Sequence, residues 1–145
     1  MEKTNNRAIL LTGNSGISAS NSTNIHLSDS EPHNLLFPQA KGILHHGGVG
    51  TMASALRSGI PQAIMPLSAD QPFWADRLYH LGYIKEPLRE SSLSVSKIIE
   101  VFLSFDDIKI QNRAFSIGEM IQNENGVERA VRFLENLVLN DISQE

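Results

Sequence analysis

One stretch constrains this chain more than any other: Gly42-Ile-Leu-His-His-Gly-Gly-Val-Gly-Thr51. A short apolar run ends at Gly47, Gly48 and Gly50, and Met52, Ala55 and Leu56 then recur at i, i+3 and i+4. That reads as a strand, a turn without side-chain bulk, and an amphipathic helix predicted over Thr51–Ser58. Gly59 suits the position just past a helix, and Pro61 cannot continue one. The first N–H groups of such a helix have no internal partner and point outward. Its dipole adds partial positive charge there. Glycines remove the Cβ atoms that would hold an anion away. His46 can add a hydrogen bond, and the Thr51 hydroxyl is placed to cap the helix or to touch the anion. The spacing is neither Gly-Lys-Ser/Thr nor Gly-x-Gly-x-x-Gly, since Gly48-Val-Gly50 runs on into Thr51-Met-Ala53. By themselves these residues fit a phosphate site or a tight turn that binds nothing.

The rest of the chain repeats the alternation. Strands are predicted over Arg7–Thr12, Asn24–Ser28, Gly42–His46 and Gln62–Met65, with Tyr83-Ile84 as a last edge strand. A short helical turn is expected at Leu35–Phe37, and a Ser/Asn-rich loop from Ser18 to Asn24. Asp70 sits at a helix N-cap, with Pro72 at the first helical position, and that helix runs to about His80, before Gly82. From Ser94 an apolar stripe (Val95, Ile98, Ile99, Phe102, Leu103) predicts another helix. Further helices are expected over Ile108–Asn123 and from Val127 to about Leu139, the latter with Val131, Leu134 and Val138 on one face. Strands alternating with helices make this an α/β chain: a Rossmann-like, mostly parallel sheet flanked by helices, in one domain spanning 1–145.

Composition narrows the function. Sixteen acids against twelve bases give a net charge of −4, against a nucleic-acid partner held by a bulk positive field. With no cysteine, disulfides and thiolate metal sites are excluded and a reducing, cytoplasmic location is the expectation. No apolar run approaches the ~18 residues of a membrane span, so the chain reads as not transmembrane. A metal site from His45, His46 and Asp70 is disfavoured because adjacent strand residues point to opposite faces. His45 reads as a packed, hydrogen-bonded histidine. His26, His33 and His80 read as solvent or loop residues, and Phe73 and Trp74 as core or interdomain packing.

A second loop leaves the next strand with Asp70 and Gln71. In an open parallel sheet, loops at the carboxyl ends of neighbouring strands line one crevice. A carboxylate and an amide beside a phosphate suit sugar hydroxyls, although Asp70 could equally just cap its helix.

Taken together, His45-His-Gly-Gly-Val-Gly-Thr51, Ala55-Leu-Arg-Ser-Gly-Ile-Pro61 and Asp70-Gln-Pro-Phe-Trp-Ala75 resemble the donor-binding signature of GT-B glycosyltransferases. The pattern is that of the sterol glucosyltransferase-like and antibiotic glycosyltransferase branch of the UDP-glycosyltransferase superfamily. Pro32–Gln39 resembles the family segment before the signature, and Glu124–Val127 its C-terminal helix region. The resemblance implies the C-terminal half of a GT-B fold that lacks its first strand. It implies a nucleotide-sugar, UDP- or dTDP-linked, as co-substrate, with no cofactor and no metal. His46, Gly47, Gly48, Gly50 and Thr51 would hold the diphosphate. Asp70 and Gln71 would hold the sugar, Gly13 and Asn14 would border the nucleotide, and Pro32–Gln39 would line the base pocket. Where plant members carry a ribose-binding Glu this chain has Ser54, and where sterol enzymes carry Asp-Trp it has Asn34-Leu35.

The implied activity is hexosyl transfer with inversion to a hydroxyl acceptor such as a sterol or other lipid. The general base would lie in an acceptor-binding domain or subunit, so no catalytic residue is expected here and this chain alone is expected to be inactive. Peripheral membrane association would come through the longer enzyme. Loss of a central strand would leave a gap or an open edge between Arg7–Thr12 and Gly42–His46, inviting a rearranged sheet or a homo-oligomer. The alternatives are a non-catalytic nucleotide-binding subunit of a split glycosyltransferase and an inert remnant.

Overall fold

The computed structural model describes residues 5–13, 15–17 and 23–142. Its strands are β1 (Ala8–Leu11), β2 (Ile25–Ser28), β3 (Ile43–His45) and β4 (Gln62–Ile64). Its helices are α1 (His33–Leu36), α2 (Val49–Ser58), α3 (Gln71–His80), α4 (Val95–Ser104), α5 (Ile108–Gln122) and α6 (Gly126–Ile142). Short 3-10 turns follow α1 at Phe37–Gln39 and precede α4 at Glu90–Ser92. Asn14 and most of the expected 18–24 loop lie outside the described residues.

Every described strand pairing is parallel, so the fold is α/β as expected. The strands form two separate pairs, not one sheet: β1 with β2 (Ala8 opposite Ile25) and β3 with β4 (Ile43 opposite Gln62). The expected break falls between Arg7–Thr12 and Gly42–His46. No described strand fills it and the sheet is not rearranged to close it.

The core gathers on the β3–β4 side. Ile64 is 1% exposed and packs with Met52, Ala75, Leu78 and Ile84. On the other face of β4, Ala63 meets Leu88, Val101 and Phe105. Residues of β4 alternate between two covered faces, which is why its sequence shows no polar position facing water. Gly59 ends α2 in the left-handed region (φ +71°). A Cβ on Gly118 of α5 would stand 2.7 Å from the Gly59 Cα, so the two glycines set how closely α5 crosses the end of α2.

Three local expectations are corrected. Tyr83-Ile84 is not an edge strand: the Tyr83 N–H bonds back to the Leu78 carbonyl, closing the turn after α3 and dropping Ile84 into the core. The α4 stripe is shifted, with Val101 buried while Val95 and Leu103 are exposed. Helix α2 starts at Val49 with Gly48 as N-cap, two residues before the predicted Thr51. On α6, Val127, Val131, Phe133, Leu134 and Leu137 are all exposed. Among the described residues no helix is long and apolar enough to cross a membrane.

Candidate functional site

The site grows from the carboxyl ends of β3 and β4. His45 closes β3, and its carbonyl accepts the Met65 N–H, which carries the parallel register one step past β4. The chain then turns at Gly47, which is buried and adopts φ +91°. Two constraints meet there. A side chain would be strained at that φ, and a Cβ would lie 2.8 Å from Ile64 Cγ2. The same Cβ would lie 3.6 Å from Gln71 Cβ, so the glycine turn and the start of α3 stand side by side.

Beyond the turn the backbone is bare. The first bond into α2 is Met52 N–H to the Gly48 carbonyl, at 2.9 Å. The Val49, Gly50 and Thr51 N–H groups precede it and have no intrahelical acceptor. A Cβ on Gly50 would meet no other part of the chain within 4 Å, so the helix surface at Gly50, beside these amides, is open. The His46 imidazole is exposed and lies over Gly48, whose Cβ would stand 2.5 Å from His46 Nε2. Thr51 is the third helical residue, so it does not cap the helix; Gly48 holds that position. Gly47 is the most buried of the site glycines, and its N–H is already donated to the His45 ring at 3.0 Å.

Asp70 is at the expected N-cap position of α3 but makes no capping bond. Its Oδ2 instead accepts the Trp74 indole N–H at 2.9 Å, one turn along the helix, which leaves Oδ1 for other donors. Gln71 Oε1 accepts two backbone N–H groups, Leu67 at 2.8 Å and Ser68 at 3.1 Å, leaving the amide nitrogen to donate. These bonds brace the loop, where Ala69 adopts φ +56°. Both side chains are thus half-committed, each with one polar atom outside these bonds. Of the pair read as core or interdomain packing, Phe73 is exposed and lies outside the core, while Trp74 packs on the core beside Met52 and Ile64.

His45 is the polar centre of the β3–β4 pair. Its Nε2 lies 2.7 Å from Oε1 of Gln62, a residue only 4% exposed. Burial pushes its pKa below the usual histidine value; the Gln62 bond works the other way, and His46 and His33 add to the depression. Phe37 packs with Ile43 of β3 and Ala55 of α2, which sets the Pro32–Gln39 segment against the strand and helix on either side of the glycine turn. His33 is not a free loop residue: its ring stacks on Phe37 with centroids 4.4 Å apart. Gly13, at φ +49°, closes β1 beside β2, its N–H on the Asp29 carbonyl. Among the described residues no hydrogen bond joins it to the glycine turn. The supports missed from sequence are Trp74 and Gln62. A Trp four residues after an Asp on one helix is a visible pair spacing; nothing local marks Gln62.

With this geometry in hand, the chain can be set beside known proteins. Residues 9–125 match the model of the erythromycin biosynthesis protein CIII-like C-terminal domain. A sterol 3-beta-glucosyltransferase of Arabidopsis thaliana is 34% identical over 108 residues, covering 74% of this chain and 17% of that protein. The O-mycaminosyltylonolide 6-deoxyallosyltransferase of Streptomyces fradiae is 36% identical over 107 residues, covering 73% of this chain and 25% of its own length. Among solved structures, the calicheamicin glycosyltransferase CalG4 aligns with a TM-score of 0.78 at 22% identity, over 88% of this chain and 34% of that one. The glycosyltransferase VinC in complex with dTDP aligns with a TM-score of 0.68 at 25% identity, over 79% and 30%. The fold is therefore that of the carboxyl-terminal part of a GT-B glycosyltransferase. The chain belongs to the family of erythromycin biosynthesis protein CIII-like C-terminal domains, and spans 17% to 25% of the length of the two curated relatives above.

Proposed function

We propose that this chain is the donor-binding portion of an inverting glycosyltransferase that moves a hexose from a UDP- or dTDP-linked donor to a hydroxyl acceptor of sterol or other lipid type. The observation that carries this reading is the adjacency of the Gly47–Thr51 turn and the Asp70-Gln71 pair. Free amides at the start of α2, reinforced by the helix dipole and His46, suit a diphosphate. Asp70 Oδ1 and the Gln71 amide nitrogen suit the hydroxyls of a sugar on that diphosphate. The names of the sterol and antibiotic transferases, and dTDP in the VinC complex, support the donor class.

In this reading the residues here act on the leaving group. As the anomeric bond breaks, negative charge grows on the diphosphate. Preorganised N–H donors stabilise that charge without having to reorient, the usual large term in such sites. Asp70 and Gln71 fix the ring so that the anomeric carbon faces the attacking hydroxyl. The base that deprotonates the acceptor is assigned to an acceptor-binding domain or subunit outside this chain, and the exposed apolar residues of α6 are compatible with such a neighbour. The test is calorimetric titration of the chain with UDP and dTDP beside His46→Ala. Saturable binding of one nucleotide, weakened about tenfold by the substitution, is expected, the scale of one charge-assisted hydrogen bond. Heat-silent titrations with both would overturn the reading.

A further inference from the structure

We propose that His45 is a positioning residue for the nucleotide turn: Nδ1 accepts the Gly47 N–H, Nε2–H donates to Gln62 Oε1, and this bridge sets the turn that presents the Val49, Gly50 and Thr51 amides. The inference rests on the nucleotide-binding reading above, and asks which residue holds that site in shape.

Geometry alone assigns the proton. The Gly47 N–H points at Nδ1 across 3.0 Å, so Nδ1 must carry a lone pair. The ring hydrogen therefore sits on Nε2, where Gln62 Oε1 receives it at 2.7 Å. Gln62 is held on β4 among buried neighbours, which makes it a fixed anchor for the ring. The ring in turn fixes the amide of a residue whose φ of +91° is itself unusual. The ends of β3 and β4 and the glycine turn are thereby tied through one side chain. A second proton on His45 would set N–H against N–H at Gly47 and break the bridge. The ionisable groups acting on the ring are His46 on the turn and His33 on α1, while Gln62 on β4 is neutral. Burial and both histidines oppose the second proton, which keeps the bridge intact at neutral pH.

Two substitutions separate this role from simple packing. Asn places Oδ1 where His carries Nδ1, so His45→Asn keeps an acceptor for the Gly47 N–H. Gln carries its polar atoms one bond further out, so His45→Gln loses that acceptor although it is closer to His in size. A packing role favours Gln; a positioning role favours Asn. The measurements are affinity for dTDP and UDP by calorimetry and protection of the Gly47 amide from hydrogen exchange in the labelled chain. His45→Asn keeps the Gly47 acceptor but gives up the Gln62 bond, so it is expected to bind about threefold more weakly than wild type, and His45→Gln about tenfold more weakly with a deprotected Gly47 amide, the scale of losing the hydrogen bond that holds the turn itself.

Nitrogen NMR of the wild-type ring supplies a test that needs no variant: the proton is expected on Nε2 at neutral pH. A ring protonated on Nδ1, or His45→Gln binding as well as or better than His45→Asn, would overturn the role of His45 while leaving the nucleotide reading in place. Failure of the wild-type chain to bind either nucleotide would remove both.

Discussion

The two strand pairs share a parallel register and apolar sequences, yet only one has a core. All residues of β4 are buried, and the hydrophobic clusters draw on residues from Phe37 to Phe105. The β1–β2 pair has no buried residue, and Ile9 and Leu10 are 49% and 39% exposed. Ala8-Ile-Leu-Leu11 is a continuous apolar run of the sort that parallel strands need when both faces are covered. Its sequence is written for cover that the described residues do not supply. The lesson is that the candidate site stands on the self-sufficient half: the glycine turn, Asp70 and Gln71 all depend on the packed pair, while Gly13 sits on the bare one.

The largest expected effect tests that division directly. Ile64→Ala removes the most buried side chain of β4 and should cost about 2–5 kcal/mol, as core truncations of this kind do. Ile9→Ala, on the open pair, should cost no more than about 0.5 kcal/mol. Thermal melts of the two variants measure both. Equal losses would mean that β1–β2 is packed in solution, by a second copy or another segment.

Next comes a contrast between two glycines of one turn. Gly47→Ala meets both the positive φ and the Ile64 methyl, so it should destabilise the fold by about 1–3 kcal/mol from backbone strain alone. Gly50→Ala meets no atom and replaces a poor helix former, so stability should hold or rise by up to about 1 kcal/mol. In the functional reading Gly50→Ala nonetheless weakens nucleotide binding, because its methyl enters the space beside the free amides. Melting curves with and without nucleotide separate the two. A Gly50→Ala chain that binds normally would show that this space is not the diphosphate site.

The strand, glycine turn and helix were legible because each has a strong local signal: an apolar run, bulk-free residues, then a 3.6-residue period. What escaped depends on contacts that no local pattern encodes. Tyr83-Ile84 has the composition of a strand, but Ile84 is worth more beside Met52 and Leu78 than on a sheet edge. Asp70 has the position of a cap, but the Trp74 indole competes for the carboxylate and no capping bond forms. The partnership of His45 with Gln62 crosses 17 residues and follows only from the β3–β4 register, which pairs Ile43 with Gln62. The division into two pairs follows the break between β1 and β3 that the resemblance implies and that no feature of the strands themselves marks.

A smaller effect separates the sugar side of the site from the phosphate side. Trp74→Phe keeps an aromatic ring against the core but removes the N–H held by Asp70 Oδ2. Affinity for the free nucleoside diphosphate should stay within about twofold, while affinity for the intact nucleotide-sugar should fall about threefold to tenfold, the range of one partly exposed hydrogen bond. Parallel titrations with the two ligands make the comparison. Equal losses for both would place the Trp74–Asp70 pair in general packing and leave the sugar contact without support.

The smallest effect is a pH slope confined to the packed half. The folded state holds the His45 pKa below its ordinary value of 6.5, chiefly by burial. As pH falls through that value the unfolded chain takes up a proton that the folded chain refuses, so stability declines. The decline ends once pH passes the lower, folded pKa and both states are protonated; above the ordinary value the group contributes no slope. His45→Asn has no such proton, so the difference between the wild-type and His45→Asn stability curves should be flat at alkaline pH and fall on acidification below about 6.5. Denaturant melts across that range measure it. A difference curve that rises on acidification would mean that the folded state prefers the charged imidazole, and would place a negative partner near His45 where Gln62 now stands.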